Sequence, residues 1–157
     1  MEVIGRTTIH PAVFYSGKLS GYLTWILLGL DYLGLRVLTG VQTNALGYAS
    51  YVLFGLAAAF IVFSLVNLGK STRLGLPTVQ TELKTHGIYR ISRNPMYVGF
   101  DLLTLSAVLK LGHWLLLVLG AYSIVVYHLI ILGEEAYLAS AFGEAYEQYK
   151  SRVRRYL

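Results

Sequence analysis

The sequence predicts an all-α, polytopic integral membrane protein. We expect a single membrane domain over residues 1–157, with about four transmembrane helices and a C-terminal amphipathic cytosolic helix. Hydrophobic residues make up 55% of the chain and charged residues 13%, whereas ordinary soluble domains have ~45–50% and ~25%. The charges are gathered in a few stretches, and the apolar runs between them approach the ~20 residues that a helix needs to cross a bilayer.

Four apolar segments follow one another along the chain. The predicted spans are 19–38, 45–68, 96–111 and 113–132. The first carries Asp31 and Arg36, whereas the second has no charged residue. The third is shorter than the ~20 residues of a full crossing, and Gly112 follows it as a turn. We therefore expect the last two spans to form a tight helical hairpin.

Polar segments lie on both sides of this hairpin. The connector 69–95 is basic, and the tail 134–157 repeats apolar residues at helical spacing between charged ones. Such a tail is typical of an interfacial helix whose basic end lies on anionic lipid. The sequence therefore predicts that both segments lie at the membrane surface.

The distribution of cations predicts the topology. With four spans, the N-terminus, the connector and the tail share one side, which then holds all but two of the 13 Lys and Arg residues. The two exceptions are Arg36 and Lys110. The positive-inside rule places the basic side, and both termini, in the cytoplasm. The same rule explains the net charge of +5, so we predict the lipid bilayer as the partner and no nucleic acid.

The third span begins with a signal for a helix start. Asn94 is a preferred N-cap residue, and Pro95 suits the first helical position. A helix start binds anions through its unpaired N–H groups and its dipole, and Arg90 and Arg93 add cationic donors. The alternative is a plain capped membrane helix whose arginines reach the lipid headgroups.

Two adjacent acids, Glu134 and Glu135, follow the fourth span. Carboxylates side by side at an apolar boundary repel each other, so they favour a ligand that carries a cation or hydroxyl groups. The alternative is an ionic network with Arg90 and Arg93. Because the hairpin brings both clusters to one membrane face, we predict a site there for a charged small molecule.

Other polar residues are candidates for chemistry. Asp101 lies inside the third span, where an ionisable group is costly and usually functional, and it shares a helix face with Tyr97. His86 lies in the connector, where it could face a ligand. We expect His128 to be a hydrogen-bonded interior residue. No two histidines have the spacing of metal ligands, and cysteine is absent, so we predict no metal site.

Four motifs occur in a fixed order over about residues 69–155. They are His86-Gly87-Ile88-Tyr89, Arg93-Asn94-Pro95-Met96-Tyr97-Val98-Gly99, Glu134-Glu135 and the segment FGEAYEQYK at 142–150. Together they resemble the isoprenylcysteine carboxyl methyltransferase family. Asn94 stands where that family commonly has His. The sequence Asn-Pro-Met-Tyr is instead similar to the phospholipid N-methyltransferases, although their Gly-x-Gly motif is missing here.

The resemblance implies a membrane methyltransferase that uses S-adenosylmethionine at the cytosolic face and takes a lipidic or amphiphilic acceptor from the bilayer. We expect the cofactor to be bound by His86, Gly87, Ile88, Tyr89, Asn94, Pro95, Tyr97, Glu134 and Glu135. Arg93 would orient an anionic acceptor or the cofactor carboxylate. An amine acceptor must lose a proton, for which Asp101, His86 or a glutamate would serve.

Two other functions remain open at this point. One is an NADPH-dependent membrane reductase of the steroid-reductase type, although a dinucleotide calls for more cations than the connector carries. The other is a non-catalytic membrane assembly or transport protein, for which an inverted repeat would argue. The sequence contains no repeat of that kind.

Overall fold

The chain folds as a helical bundle. The computed structural model describes residues 7–68 and 82–157, and these ranges contain five α-helices, one short 3₁₀ helix (Gly87–Arg90) and no strand. The helices are α1 Pro11–Tyr32, α2 Asn44–Leu68, α3 Pro95–Leu111, α4 Trp114–Phe142 and α5 Glu144–Arg152. The all-α class is therefore confirmed for the described part of the chain.

The central elements agree with the sequence. Helices α2 and α3 match the predicted spans 45–68 and 96–111 closely, and α3 begins at Pro95 as expected. Gly112 ends α3 in the left-handed conformation, with φ of 57°, which glycine adopts without steric cost. Helix α4 follows at once and contacts α3, so the two helices form the predicted hairpin.

The helix of the predicted first span, 19–38, begins earlier and ends earlier than that span. Helix α1 begins at Pro11, because proline is favoured at the first helical position and already has helical φ. It ends at Tyr32, and Gly34 then turns the chain with φ of 82°. Lys18 therefore lies inside α1 and not before it.

The helix of the fourth predicted span continues beyond its predicted limit at residue 132. Helix α4 continues to Phe142, so Glu134 and Glu135 lie within the helix. The helix ends only where Gly143 adopts a φ of 52°. As a result the predicted tail helix is reduced to α5, Glu144–Arg152, whose acids lie in its first turn and whose bases lie in its last, as the helix dipole favours.

Helix α3 contacts α1, α2 and α4. Its contact with α2 is close because Gly99 packs against Ile61 and the backbone of Ala57, and small residues let membrane helices approach. Further along the same interface, the Ser106 hydroxyl donates to the Ser50 carbonyl oxygen at 2.8 Å. The two helices therefore run antiparallel.

Helix α1 packs antiparallel to α4. Gly17 lies against the side chain of Val126, and the Ser20 hydroxyl donates to the Leu119 carbonyl oxygen at 2.8 Å. This arrangement places the start of α1, the start of α3 and the C-terminal part of α4 at one end of the bundle. The polar residues singled out by the sequence are gathered at that end.

Two helices, α2 and α4, are long and apolar enough to cross a membrane. Only 17% of the most apolar window of α2 and 39% of that of α4 are buried within the protein. Large side chains such as Val66 (71% exposed) and Phe63 (56% exposed) therefore face outward. An apolar surface of this extent is stable in a bilayer and unfavourable in water. The number of spans and their orientation stay predictions.

Substituting Gly99 with Leu should destabilise the α2–α3 contact. A Cβ atom at Gly99 would already lie 2.6 Å from Ile61 Cγ1 and 3.2 Å from the Ala57 carbonyl oxygen. We expect a loss of about 1–3 kcal/mol, the usual cost of overpacking, measured as a lower Tm in detergent. Gly55→Leu is the matched control, since a Cβ there meets no atom within 4 Å. Equal Tm values for the two variants would contradict this packing.

Candidate active site

The start of α3 is held by a side chain of α4. Asn94 occupies the N-cap position, but its side chain does not cap the helix, contrary to the usual role of Asn there. Its Nδ2 atom instead donates to Glu135 Oε1 at 3.1 Å and to the Arg155 carbonyl oxygen at 3.3 Å. A carboxylate is the stronger acceptor, and the first turn of α3 is therefore left without a side-chain cap.

Glu135 is the centre of an ionic network. It is 7% exposed, and each of its carboxylate oxygens is bound by one arginine. Arg93 approaches Oε1 with Nε at 3.0 Å and Nη2 at 2.9 Å. Arg155 approaches Oε2 with Nε at 3.0 Å and Nη2 at 2.9 Å. This hydrogen bonding raises the pKa of the Arg155 guanidinium above its usual value.

The C-terminal segment after α5 is bound to the same place. The Arg93 amide donates to the Arg154 carbonyl oxygen at 3.0 Å, and Arg93 Nη1 donates to the Val153 carbonyl oxygen at 2.7 Å. The Ser92 hydroxyl donates to the Arg155 carbonyl oxygen at 3.1 Å. The start of α3, the C-terminal part of α4 and the C-terminus are thus one connected unit.

A cavity of about 240 Å³ lies beside this network. It is enclosed by α1, the end of α2, the 3₁₀ helix, the start of α3 and the C-terminal half of α4. The described residues that line it are Lys18, Tyr22, Leu68, Tyr89, Arg93, Asn94, Pro95, Met96, Tyr97, Phe100, Tyr127, Glu134 and Leu138.

The cavity contains one carboxylate and one ammonium group. Glu134 Oε1 accepts a hydrogen bond from the Tyr97 hydroxyl at 2.7 Å. Lys18 attracts Glu134 electrostatically, but the two do not form one of the ion pairs between described residues. Lys18 lies over the ring of Phe14 at 4.1 Å. Both groups therefore line the cavity without pairing directly with each other.

Aromatic rings form much of the cavity wall. Phe100 packs against Tyr97, at 6.0 Å between ring centroids, and against Tyr127, at 5.9 Å. The Tyr127 hydroxyl is buried without a hydrogen-bond partner in the described structure, and it packs against Gly21 of α1. Burial and then Glu134 raise the pKa of Tyr89 to about 12, so it remains a neutral phenol. Ring faces of this kind attract a cation.

The structure brings together most of the residues that the sequence indicated. Arg93, Asn94, Pro95, Tyr97, Tyr89 and Glu134 line the cavity. The start of α3 and the two adjacent glutamates of α4 thus lie close together, as predicted. Glu135 lies behind this lining, in the ionic network that the sequence left open as an alternative. Arg155 takes the place that the sequence assigned to Arg90.

Besides Glu135, three predicted ligand residues lie outside the described lining of the cavity. His86 is exposed and precedes the 3₁₀ helix, and Ile88 is half-buried within it. Gly87 has a φ of 60° and packs against the Asn67 side chain at the end of α2. Arg90 lies beside a different cavity, together with Arg152. These residues join the connector to its neighbouring helices.

Asp101 lies beside a separate cavity of about 410 Å³. Its other described lining residues are Ile124, Val125, His128 and Tyr156. His128 Nδ1 is 2.6 Å from the Tyr156 hydroxyl, so the expected hydrogen-bonded histidine is confirmed. Lys110, the cation of the same hairpin, lies 3.9 Å from Asp31 and forms no ion pair with Asp101 among the described residues.

Sequence reasoning missed Lys18, Tyr22, Phe100, Tyr127 and Arg155. A signal existed for Lys18, because a helix that starts at Pro11 places this cation inside an otherwise apolar segment, where it indicates function. The aromatic residues look like ordinary apolar positions of a span. No local pattern separates Arg155 from the neighbouring Arg152 and Arg154.

A model of the phospholipid methyltransferase family matches residues 43–145, and the chain belongs to this family. The match runs from the start of α2 into α5 and includes the helix start at Asn94 and both glutamates. Lys18 and Arg155, which complete the site and its ionic network, lie outside the matched residues.

A segment of the chain is also similar to a protein-S-isoprenylcysteine O-methyltransferase of Schizosaccharomyces pombe. The two sequences are 42% identical over 74 residues, which cover 45% of this chain and 30% of the relative. The chain therefore matches less than a third of the length of that relative. No solved structure matched the chain.

Substituting Glu135 with Gln should destabilise the protein strongly. Arg93 and Arg155 would lose their shared counter-charge, and breaking a buried ion pair costs about 3–5 kcal/mol. Glu147→Gln is the control. Glu147 pairs with Lys150 at 3.3 Å on the surface, where both side chains are about half exposed, and such a pair contributes about 0–1 kcal/mol. Unfolding in detergent measures both variants, and similar losses would contradict the central role of Glu135.

Proposed function

We propose that this protein transfers a methyl group from S-adenosylmethionine to a lipidic or amphiphilic acceptor at the cytosolic membrane face. The observation that carries the proposal is the cavity between Lys18, Glu134 and the start of α3, in a chain of a methyltransferase family. The relative from Schizosaccharomyces pombe is by name an O-methyltransferase, which supports methyl transfer.

The lining of the cavity fits the groups of this cofactor. S-adenosylmethionine carries a carboxylate, an ammonium, a sulfonium and ribose hydroxyls. The uncapped start of α3 and Lys18 suit the carboxylate. Glu134 suits the ammonium or the ribose hydroxyls. The rings of the wall suit the sulfonium cation.

The size of the cavity agrees with a reaction at its edge. Its volume of about 240 Å³ is somewhat below the ~300–1,000 Å³ of typical small-molecule sites. A ligand of the size of S-adenosylmethionine therefore extends beyond the described lining. This leaves part of the ligand accessible to an acceptor that approaches from the membrane.

When bound, the cofactor supplies a methyl group that is already activated by its positive sulfur. The residues of the chain then serve mainly to hold donor and acceptor in reacting geometry, which is a large contribution to rate. The donors of Arg93 are bound to Glu135 and to backbone carbonyls. We therefore propose that Arg93 positions the start of α3, in place of the direct ligand contact that the sequence suggested.

The proposed orientation follows from the basic end of the bundle. Arg90, Arg93 and the arginines of the C-terminus lie at the end that carries the cavity. In the proposed topology α1 and α3 also cross the membrane, which gives four spans with both termini in the cytoplasm. The outward apolar faces of α2 and α4 then contact the lipid from which an acceptor enters.

Binding of S-adenosylhomocysteine tests the cofactor. We expect it to raise the Tm of the detergent-solubilised protein, because a ligand that binds the folded state stabilises it, whereas NADPH should not. Glu134→Gln should weaken the apparent affinity about tenfold or more, the loss of one charge-assisted hydrogen bond. Glu144→Gln is the control, since Glu144 is exposed and bonded to Gln148. A shift with NADPH alone would refute the proposal in favour of a reductase.

Methyl transfer itself is tested with S-adenosylmethionine labelled in its methyl group. The purified protein is incubated with extracted membrane lipids, and the products are separated by mass. We expect label in the lipid fraction with the unmodified protein, and a strong decrease with Glu134→Gln. Labelling that is equal in a sample without the protein would count against the activity.

A further inference from the structure

Another cavity, of about 590 Å³, lies between the connector and α5. It is lined by Arg90 of the 3₁₀ helix and by Arg152 in the last turn of α5. The two arginines are distant in the sequence, and the fold brings them to one place. The other described lining residues are Leu83, Thr85, Ala145, Gln148, Tyr149 and Val153. The described linings of this cavity and of the candidate cofactor cavity have no residue in common.

The side chains of Arg90 and Arg152 have no partner in the part of the chain that the structure describes. Both residues are exposed, and neither belongs to the ion pairs found there. Neither guanidinium donates a hydrogen bond to a described residue. Because each guanidinium has five N–H donors in a planar fork, the cavity presents donors that a bound anion can satisfy.

The described lining of this cavity includes no Asp or Glu. The acids that lie next to its lining residues in the sequence have other partners. Glu82 pairs with a lysine at 2.9 Å, and Glu147 pairs with another at 3.3 Å. Glu144 Oε1 accepts a hydrogen bond from Gln148 Nε2 at 3.2 Å. The positive charge of the cavity is therefore not neutralised by a described carboxylate of its lining.

The backbone that carries both arginines is fixed by hydrogen bonds. The carbonyl oxygen of the residue before Arg90 accepts a hydrogen bond from the Tyr149 hydroxyl at 2.7 Å. The carbonyl oxygen of Val153, directly after Arg152, accepts one from Arg93 Nη1 at 2.7 Å. When an anion binds, the two arginine side chains are therefore the main groups that lose freedom, which lowers the cost of binding.

The donors of the cavity indicate which anion it binds. The planar fork of an arginine matches the oxygens of a phosphate or a carboxylate in a bidentate manner. Thr85 and Gln148 add neutral donors at the same cavity. Two guanidinium forks and these polar groups offer more donors than the two oxygens of a carboxylate need, whereas a phosphate group has three or more acceptor oxygens. The set therefore favours a phosphate group.

Apolar side chains near the cavity favour a lipid as the source of this phosphate. Ile91, directly after Arg90, is 59% exposed. The 3₁₀ helix also contacts α2, where Val66 near the helix end is 71% exposed. Arginines beside exposed apolar side chains are typical of a surface at the level of the lipid head groups.

We propose that Arg90 and Arg152 form a binding site for a phosphate group, supplied by the head group of an anionic phospholipid or by a soluble phosphate ester. Each arginine binds oxygens of the same phosphate from a different wall of the cavity. Arg93 and Arg155 bind the carboxylate of Glu135 in a comparable manner, with one guanidinium on each oxygen. The site is separate from the candidate cofactor cavity, so the inference does not depend on methyl transfer.

The test measures the Tm of the full-length protein in a neutral detergent at constant ionic strength. The probes are dioctanoyl phosphatidic acid, dioctanoylglycerol, which lacks the phosphate, and glycerol 3-phosphate, which lacks the acyl chains. We expect phosphatidic acid to raise the Tm in a saturable way and dioctanoylglycerol to leave it unchanged. If the source is a lipid, glycerol 3-phosphate acts only at far higher concentration. Equal potency of the two phosphates identifies a soluble ester as the ligand of the same site.

Arg90→Gln and Arg152→Gln should each weaken the apparent affinity for phosphatidic acid about tenfold, through loss of charge-assisted hydrogen bonds. Arg152→Lys should weaken it less, because an ammonium keeps the charge but lacks the planar fork. The Tm without ligand should stay close to that of the unmodified protein, since neither guanidinium has a described partner. Arg154→Gln is the matched control. It removes the same charge two residues away, and Arg154 is exposed and outside the described lining.

An equal loss of affinity in Arg154→Gln would assign the effect to the general charge of this end of the bundle and would overturn the site. Unchanged affinity in both Arg90→Gln and Arg152→Gln would also overturn it, because the phosphate then binds elsewhere. The same holds if dioctanoylglycerol raises the Tm as much as phosphatidic acid does, or if neither phosphate probe gives a saturable shift.

Discussion

The arrangement of this end of the bundle depends on the buried carboxylate of Glu135. A buried charge is tolerated only when its partners are fixed around it, and here Arg93 and Arg155 each bind one oxygen. These two arginines come from the start of α3 and from the C-terminus, so one carboxylate of α4 holds three distant parts of the chain together. The cavity beside the network keeps its shape because its walls belong to those same parts.

Burial explains why such compensation is needed. Backbone groups outside helices must find partners within the protein where they are shielded from water. The 3₁₀ helix meets this requirement through Tyr149, whose hydroxyl donates to the Tyr89 carbonyl oxygen at 2.7 Å. The segment after α5 does so through Arg93 and Ser92. Irregular backbone and polar side chains therefore occur together at the end that carries the site.

Composition and local signals predicted part of this structure. The length of the apolar runs predicted α2 and α3, and Pro95 and Gly112 predicted the limits of α3. The length of the apolar runs did not predict the limits of α1 and α4. A helix continues through polar residues such as Glu134 and ends only at a helix-breaking residue such as Gly143. The choice of Arg155 as the partner of Glu135 depends on the path of the C-terminus. That path is a tertiary property which no local pattern in the sequence encodes.

Three carboxylates near this end of the bundle differ in how far the protein compensates them. Glu135 has two arginines, Glu134 has a phenol and a cation at a distance, and the Oδ1 atom of Asp101 has no partner among the described residues. Glu134 and Glu135 are adjacent, but successive helix residues point about 100° apart, so one faces the cavity and the other the network. A fully compensated charge stabilises structure, whereas an uncompensated one retains free energy for a ligand. Glu135 is therefore part of the framework, whereas Glu134 is the group that we propose binds the cofactor.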